Sequence, residues 1–94
     1  MIRNVVAVRL KPDHDPERVA ALRASFAALD TPGTLSYTIG PDLALRDGTW
    51  SFAIVADFTD EAAYRLYDED PEHNRLRAEL APFAAEIARV QFSA

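Results

Sequence analysis

Residues 60–76 read DEAAYRLYDEDPEHNRL and hold two helix starts and a histidine set among apolar positions. Asp70 followed by Pro71 opens a helix: the aspartate accepts from a free backbone N–H, and proline at the first helical position gives up no needed donor. A helix begun there carries His73, Leu76, Leu80 and Phe83 at steps of three and four, so the imidazole points the same way as the core. That makes His73 either a structural histidine or a base facing a pocket. Asp60 caps a shorter helix with Tyr64 and Tyr67 on one side, and Pro82 kinks or ends the second helix near its last turn.

Outward from this stretch, TWSFAIVADF (49–58) and LSYTIG (35–40) alternate as two antiparallel strands joined by PDLALRDG. Trp50, Phe52, Ile54, Ala56 and Phe58 share one face of the later strand, and these large residues are expected to meet the helices. Asp15-Pro16 repeats the cap-then-proline signal and opens an amphipathic helix with Val19, Leu22, Phe26 and Leu29, stopped by Thr31-Pro32-Gly33. IRNVVAVRL (2–10) is a strand whose greasier face, Ile2, Asn4, Val6, Val8 and Leu10, belongs under the helices. Asn4 on that face needs a partner or a ligand. EIARVQF (86–92) closes the chain as a fourth strand, with Ala88, Val90 and Phe92 on one face and Ile87, Arg89 and Gln91 on the other.

The order β-α-β-β-α-β is the α+β, ferredoxin-like arrangement: a four-stranded antiparallel sheet with its helices on one face, in a single domain over residues 1–94. The opposite face is expected to carry Val5, Ala7, Ala53 and Val55 in the middle and Arg3, Arg9, Asp57 and Arg89 towards the ends. An apolar centre with a charged rim is what a partner covers, so a homodimer formed sheet to sheet follows. A chain of 94 residues buries only about two-thirds of its unfolded surface, and self-association is one way to cover more.

A net charge of −5 with a single lysine, Lys11, argues against a general nucleic-acid binder. No cysteine is present, which removes disulfides and thiolate metal sites and fits a reducing compartment. The opening MIRNVVAVRLKP is interrupted by Arg3 and Arg9, unlike a signal peptide, and no apolar run approaches the ~20 residues of a membrane span. The expectation is a soluble, cytoplasmic protein that binds neither nucleic acid nor membrane. His14 between Asp13 and Asp15 reads as a solvated turn, and Asp68, Glu69, Asp70 and Glu72 as a helix junction, so no metal site is expected.

The opening IRNVVAVRLKP, the acidic-proline helix start at 15–16, VADFTD (55–60) and above all YDEDPEH (67–73) resemble the stress-responsive A/B barrel (Dabb) family, over essentially the whole chain. That resemblance implies two protomers closing their sheets into one dimeric α/β barrel. The family often has histidine where this chain has Asn4, and its HPxH pattern has histidine where this chain has Asp70. In the family's plant polyketide cyclases, a tyrosine and the last histidine of the pattern promote aldol closure of a linear poly-β-keto thioester or acid. Matched residue by residue, those roles fall on Tyr67 and His73.

The first functional reading is therefore a cofactor-independent enzyme for a small, apolar, keto-type molecule, with Tyr67 and His73 as the catalytic pair. Asn4, Val6, Val8, Leu22, Phe26, Trp50, Phe52, Leu76 and Phe83 are its expected binding residues. A second reading is a cofactorless or haem-degrading monooxygenase of the neighbouring dimeric barrel families, with Asn4, Tyr67 and His73 in the site. A third is a stress-associated binding dimer without catalysis.

Overall fold

The computed structural model describes all 94 residues. Strand β1 (Ile2–Leu10) leads into helix α1 (Pro16–Ala27), followed by β2 (Thr34–Pro41) and β3 (Phe52–Phe58). Helices α2 (Glu61–Asp68) and α3 (Pro71–Leu80) come next, then a 3-10 turn at Ala81–Phe83 and strand β4 (Ala84–Ser93). The four strands form one antiparallel sheet in the order β2-β3-β1-β4. This is an α+β ferredoxin-like fold, with the helices on one face as the strand patterns require.

Each helix starts where an aspartate supplies the missing acceptor. Asp15 accepts from the N–H groups of Glu17 and Arg18, Asp60 from Ala63, and Asp70 from His73. Two of these starts have proline at the next position, Pro16 and Pro71, where no helical donor is lost. Pro82 ends α3 at Leu80, so Phe83 falls in the 3-10 turn instead of extending the apolar face of the helix.

The covered sheet face buries Val6, Val8, Phe52 and Ile54 against Val19, Leu22 and Phe26 of α1 and Leu76 and Leu80 of α3. Ala56 and Phe58 continue that face against Ala63 and Tyr67 of α2. Strand β3 starts at Phe52, three residues later than its alternation suggests. Ser51 breaks the pattern: its N–H donates to the Val8 carbonyl, and its hydroxyl accepts from the Leu10 N–H. Trp50 is thereby freed from the strand period and stands beside Arg9, whose guanidinium lies 5.4 Å from the indole centre.

The fourth strand also corrects an expectation. Val6 pairs with Arg89, Val8 with Ile87 and Asn4 with Gln91, whereas Val5 pairs with Val90 and Ala7 with Ala88. Directly opposed residues project from the same face. Arg89 therefore lies on the helix side, and Ala88 and Val90 complete the open face. Helices cover β1 and β3 well, but β4 stays exposed along nearly its whole length.

Gly33, in the turn before β2, has a φ of +85°, and a Cβ built there would lie 2.4 Å from the Ala63 Cβ of α2. Both the left-handed backbone and the close approach of the turn to α2 require glycine. The variant Gly33→Ala is expected to lose about 2 kcal/mol or more from backbone strain alone. The thermal melt should then fall by roughly 8 °C or more, checked by calorimetry against the parent chain.

Candidate functional site

A cavity of about 210 Å³ lies between β1 and β4 below and α2, α3 and the 3-10 turn above. Its floor is Asn4, Val6, Val8, Ile54, Ile87 and Arg89, and its roof and sides are Phe26, Tyr64, Tyr67, Asp68, His73, Arg77, Leu80 and Ala81. It exists because the helices stop short of β4, so the space beyond the β1 core is roofed without being filled.

His73 is buried, with 5% of its surface exposed. Its Nδ1 lies 2.9 Å from the carbonyl oxygen of Tyr67. A carbonyl only accepts, so Nδ1 carries the proton and Nε2 of the neutral ring presents a lone pair. No protein group bonds Nε2, yet no fully enclosed side-chain nitrogen or oxygen lacks a partner; Nε2 therefore borders open space, and the space next to it is the cavity. The Tyr67 ring stacks on the imidazole at 4.0 Å between centroids, and Phe26 meets it edge-on at 6.1 Å.

Asn4, on the floor, is the second buried polar group of the cavity, 3% exposed. Its Oδ1 accepts from Gln91 Nε2 at 3.1 Å, and the same Nε2 donates to the Tyr64 hydroxyl at 2.8 Å. The Asn4 amide therefore keeps two N–H donors with no protein acceptor, again bordering the cavity. One acceptor, His73 Nε2, and one donor, Asn4 Nδ2, thus sit in a largely apolar enclosure.

Burial pushes the His73 pKa below that of a free imidazole, and the nearby Arg77 cation pushes it the same way. At neutral pH the ring is therefore an uncharged base. Burial raises the pKa of Tyr67, and the adjacent Tyr37 hydroxyl raises it further. The Tyr67 hydroxyl lies 2.9 Å from that of Tyr37, on β2, and does not bond the imidazole. Tyr67 thus meets His73 through its backbone carbonyl and the face of its ring.

Of the residues expected to bind a ligand, Asn4, Val6, Val8 and Phe26 line the cavity together with Tyr67 and His73. Leu22, Phe52 and Leu76 are instead core residues packed behind it, and Phe83 packs against that core from the 3-10 turn. Trp50 lies outside the site, because the break at Ser51 turns it towards Arg9 and the β2–β3 loop. Sequence reasoning missed Ile87, Arg89, Arg77 and Tyr64. The register of β4 was the missing signal for the first two, and the gap over β4 for the others. No group of three or more histidine, aspartate or glutamate side chains is placed to hold a metal ion.

The depressed His73 pKa has a sign for stability. Below the pKa of an unfolded imidazole, the unfolded chain takes up a proton that the folded chain resists, so acid favours unfolding. Stability should be full above about pH 6.5 and decline as the pH falls through that value. Melting temperatures from pH 8 to pH 5 should show this decline in the parent chain and a shallower one in His73→Gln.

The family model for the Stress responsive A/B Barrel Domain, Dabb, matches residues 2–94. No curated protein matches the chain. Among solved structures, a dimeric ferredoxin-like protein of unknown function from Thermobifida fusca is 32% identical, with a TM-score of 0.89 over 99% of this chain and 90% of that one. A second dimeric protein with a ferredoxin-like fold, from Bacteroides fragilis, is 22% identical, with a TM-score of 0.80 over 99% and 95% of the two chains. The hydroxynitrile lyase of Passiflora edulis is 18% identical, with a TM-score of 0.82 over 97% and 90%, a likeness of fold. No helix is long and apolar enough to cross a membrane. With the family match running from the first strand to the last, the chain belongs to the stress-responsive A/B barrel domain family.

Proposed function

We propose that this protein binds a small, apolar, carbonyl-bearing molecule in the helix–sheet cavity and that His73 Nε2 removes a proton from it. The observation that carries this reading is the fixed tautomer: Nδ1–H is committed to the Tyr67 carbonyl, so the free lone pair borders the cavity. A ligand carbonyl accepts from the unpartnered N–H groups of Asn4, which stabilise negative charge as it grows on that oxygen. Proton removal from a carbon between two carbonyls leaves an enolate. Its carbon then attacks a further carbonyl, several bonds along the same molecule, forming a C–C bond. The new alkoxide takes the proton back from the imidazolium, so the chemistry balances without a cofactor. Tyr67 serves as a positioning residue, through its carbonyl and its stacked ring, rather than as a proton donor. The fold neighbour named as a lyase agrees with this reading.

The test uses ethyl 3-oxohexanoate in D₂O and follows exchange of its C2 protons by NMR. The parent chain should accelerate exchange, with a rate that rises with pH through an inflection below the 6.5 of an ordinary imidazole. His73→Asn keeps an amide N–H at the Nδ1 position for the Tyr67 carbonyl and should lose the acceleration by about 10²-fold or more while remaining folded. Equal exchange by both proteins would assign His73 to the core and favour a binding dimer without catalysis.

We infer further that two copies pair through their open sheet faces. Only 17 of the 94 residues are buried in one chain, while Val55, Val90 and Phe92 keep 37%, 61% and 45% of their surface exposed. The fold neighbours from T. fusca and B. fragilis are described as dimeric. Light scattering at micromolar concentration should give twice the chain mass for the parent and half that value for Val90→Asp. A monomeric parent chain would refute the pairing.

A further inference from the structure

Arg89 has no partner in the protein. Six of the nine arginines, Arg3, Arg9, Arg18, Arg65, Arg75 and Arg77, pair with carboxylates. Arg23 lies over the Phe52 ring. Arg46 and Arg89 have neither kind of contact, and of these two only Arg89 lines the cavity between the helices and the sheet.

The register opposite Val6 puts Arg89 on the helix side of β4, next to Ile87 and in front of the uncovered gap. Three other polar groups surround that opening. Arg77 comes from α3, and its charge is matched by Asp68 of α2 at 3.2 Å. The Tyr64 hydroxyl accepts from Gln91, so its own proton is unspent. With Arg77 and Asp68 cancelling, the mouth carries one uncompensated positive charge and a free O–H donor, on a chain whose net charge is −5.

We propose that Arg89 is an anchor for a carboxylate on the ligand, with the Tyr64 hydroxyl as a second donor, so that the molecule lies with its apolar part in the cavity and its acid group at the mouth. This rests on the cavity being the binding site. It narrows the ligand to short apolar carboxylic acids and fixes their direction of entry. Arginine suits the task because its planar fork meets both carboxylate oxygens. The anchor is solvent-exposed, so it contributes modest affinity and a definite orientation. With Arg77 and Asp68 paired, Arg89 alone is uncompensated, and one positive charge matches a monoanion.

The probes are hexanoate and its uncharged counterpart methyl hexanoate, titrated into the isotope-labelled protein and followed by amide chemical shifts. Both should move the amides of Val6, Val8 and His73, and hexanoate should bind about fivefold tighter at low salt. Arg89→Gln should erase that preference and leave the ester unchanged, while Arg46→Gln should leave both affinities as they were. Raising the salt should weaken hexanoate alone. Equal binding of acid and ester by the parent chain, or an equal loss of both in Arg89→Gln, would overturn the carboxylate anchor and leave the cavity reading standing. Failure of both probes to move the cavity amides would overturn the two together.

Discussion

The hydrogen bond from His73 to the Tyr67 carbonyl ties together the two helices that roof the candidate site. That carbonyl is at the end of α2, where helix acceptors have no partner of their own, and it also receives the Asp70 N–H at 3.2 Å. A side chain from the first turn of α3 thus completes the last turn of α2. One contact joins the two helices and fixes the tautomer of the imidazole and the direction of its free lone pair. The stacking of the Tyr67 ring on the imidazole leaves the ring little freedom to turn. Asp70 and Pro71 build the frame in which this happens, since the Asp70 carboxylate caps the His73 N–H itself.

The sheet supplies the other half of the site through unequal coverage. Central strands β1 and β3 are packed by α1 and α3 and form a dense core of branched and aromatic side chains. Edge strand β4 is left bare, and the shortfall of helix over it is the cavity. On this edge the chain has spent polar residues where a core would have apolar ones: Gln91 opposite Asn4 and Arg89 opposite Val6. Gln91 serves both Asn4 and Tyr64, tying the floor to α2 across the gap.

Most of the fold was legible because its signals are local. The three aspartate caps, the prolines behind two of them and the strand alternation of 2–10 are each written within a few residues, and each is found in place. The placement of His73 and Asn4 on the covered side followed from the same periodicities. What failed depended on partners distant in sequence. The face of Arg89 is decided by the register of β4 against β1, for which a weakly alternating run of alanine, valine and charged residues gives no preference. Trp50 was misplaced because Ser51 answers to backbone groups of β1, a contact no window around Trp50 contains. Tyr67 was paired with His73 as a catalytic group, but its hydroxyl is held by Tyr37, thirty positions away. Leu22, Phe52 and Leu76 are on the expected face and still fall behind the cavity wall, since facing a core and facing a hollow look alike in an apolar pattern.

The bare edge at β4 also bears on how fast molecules exchange with the site. A cavity sealed by a loop releases its contents only when the loop moves, and such motions commonly set the pace of turnover. Here the opening runs along a strand that no helix covers, so entry and exit need no backbone rearrangement. For the proposed ligand, encounter would be governed by diffusion and by the field at the mouth, and exchange would be quick because part of the molecule stays wet. Speed of exchange, at the expense of grip, is the kinetic character that follows for the ligand we propose.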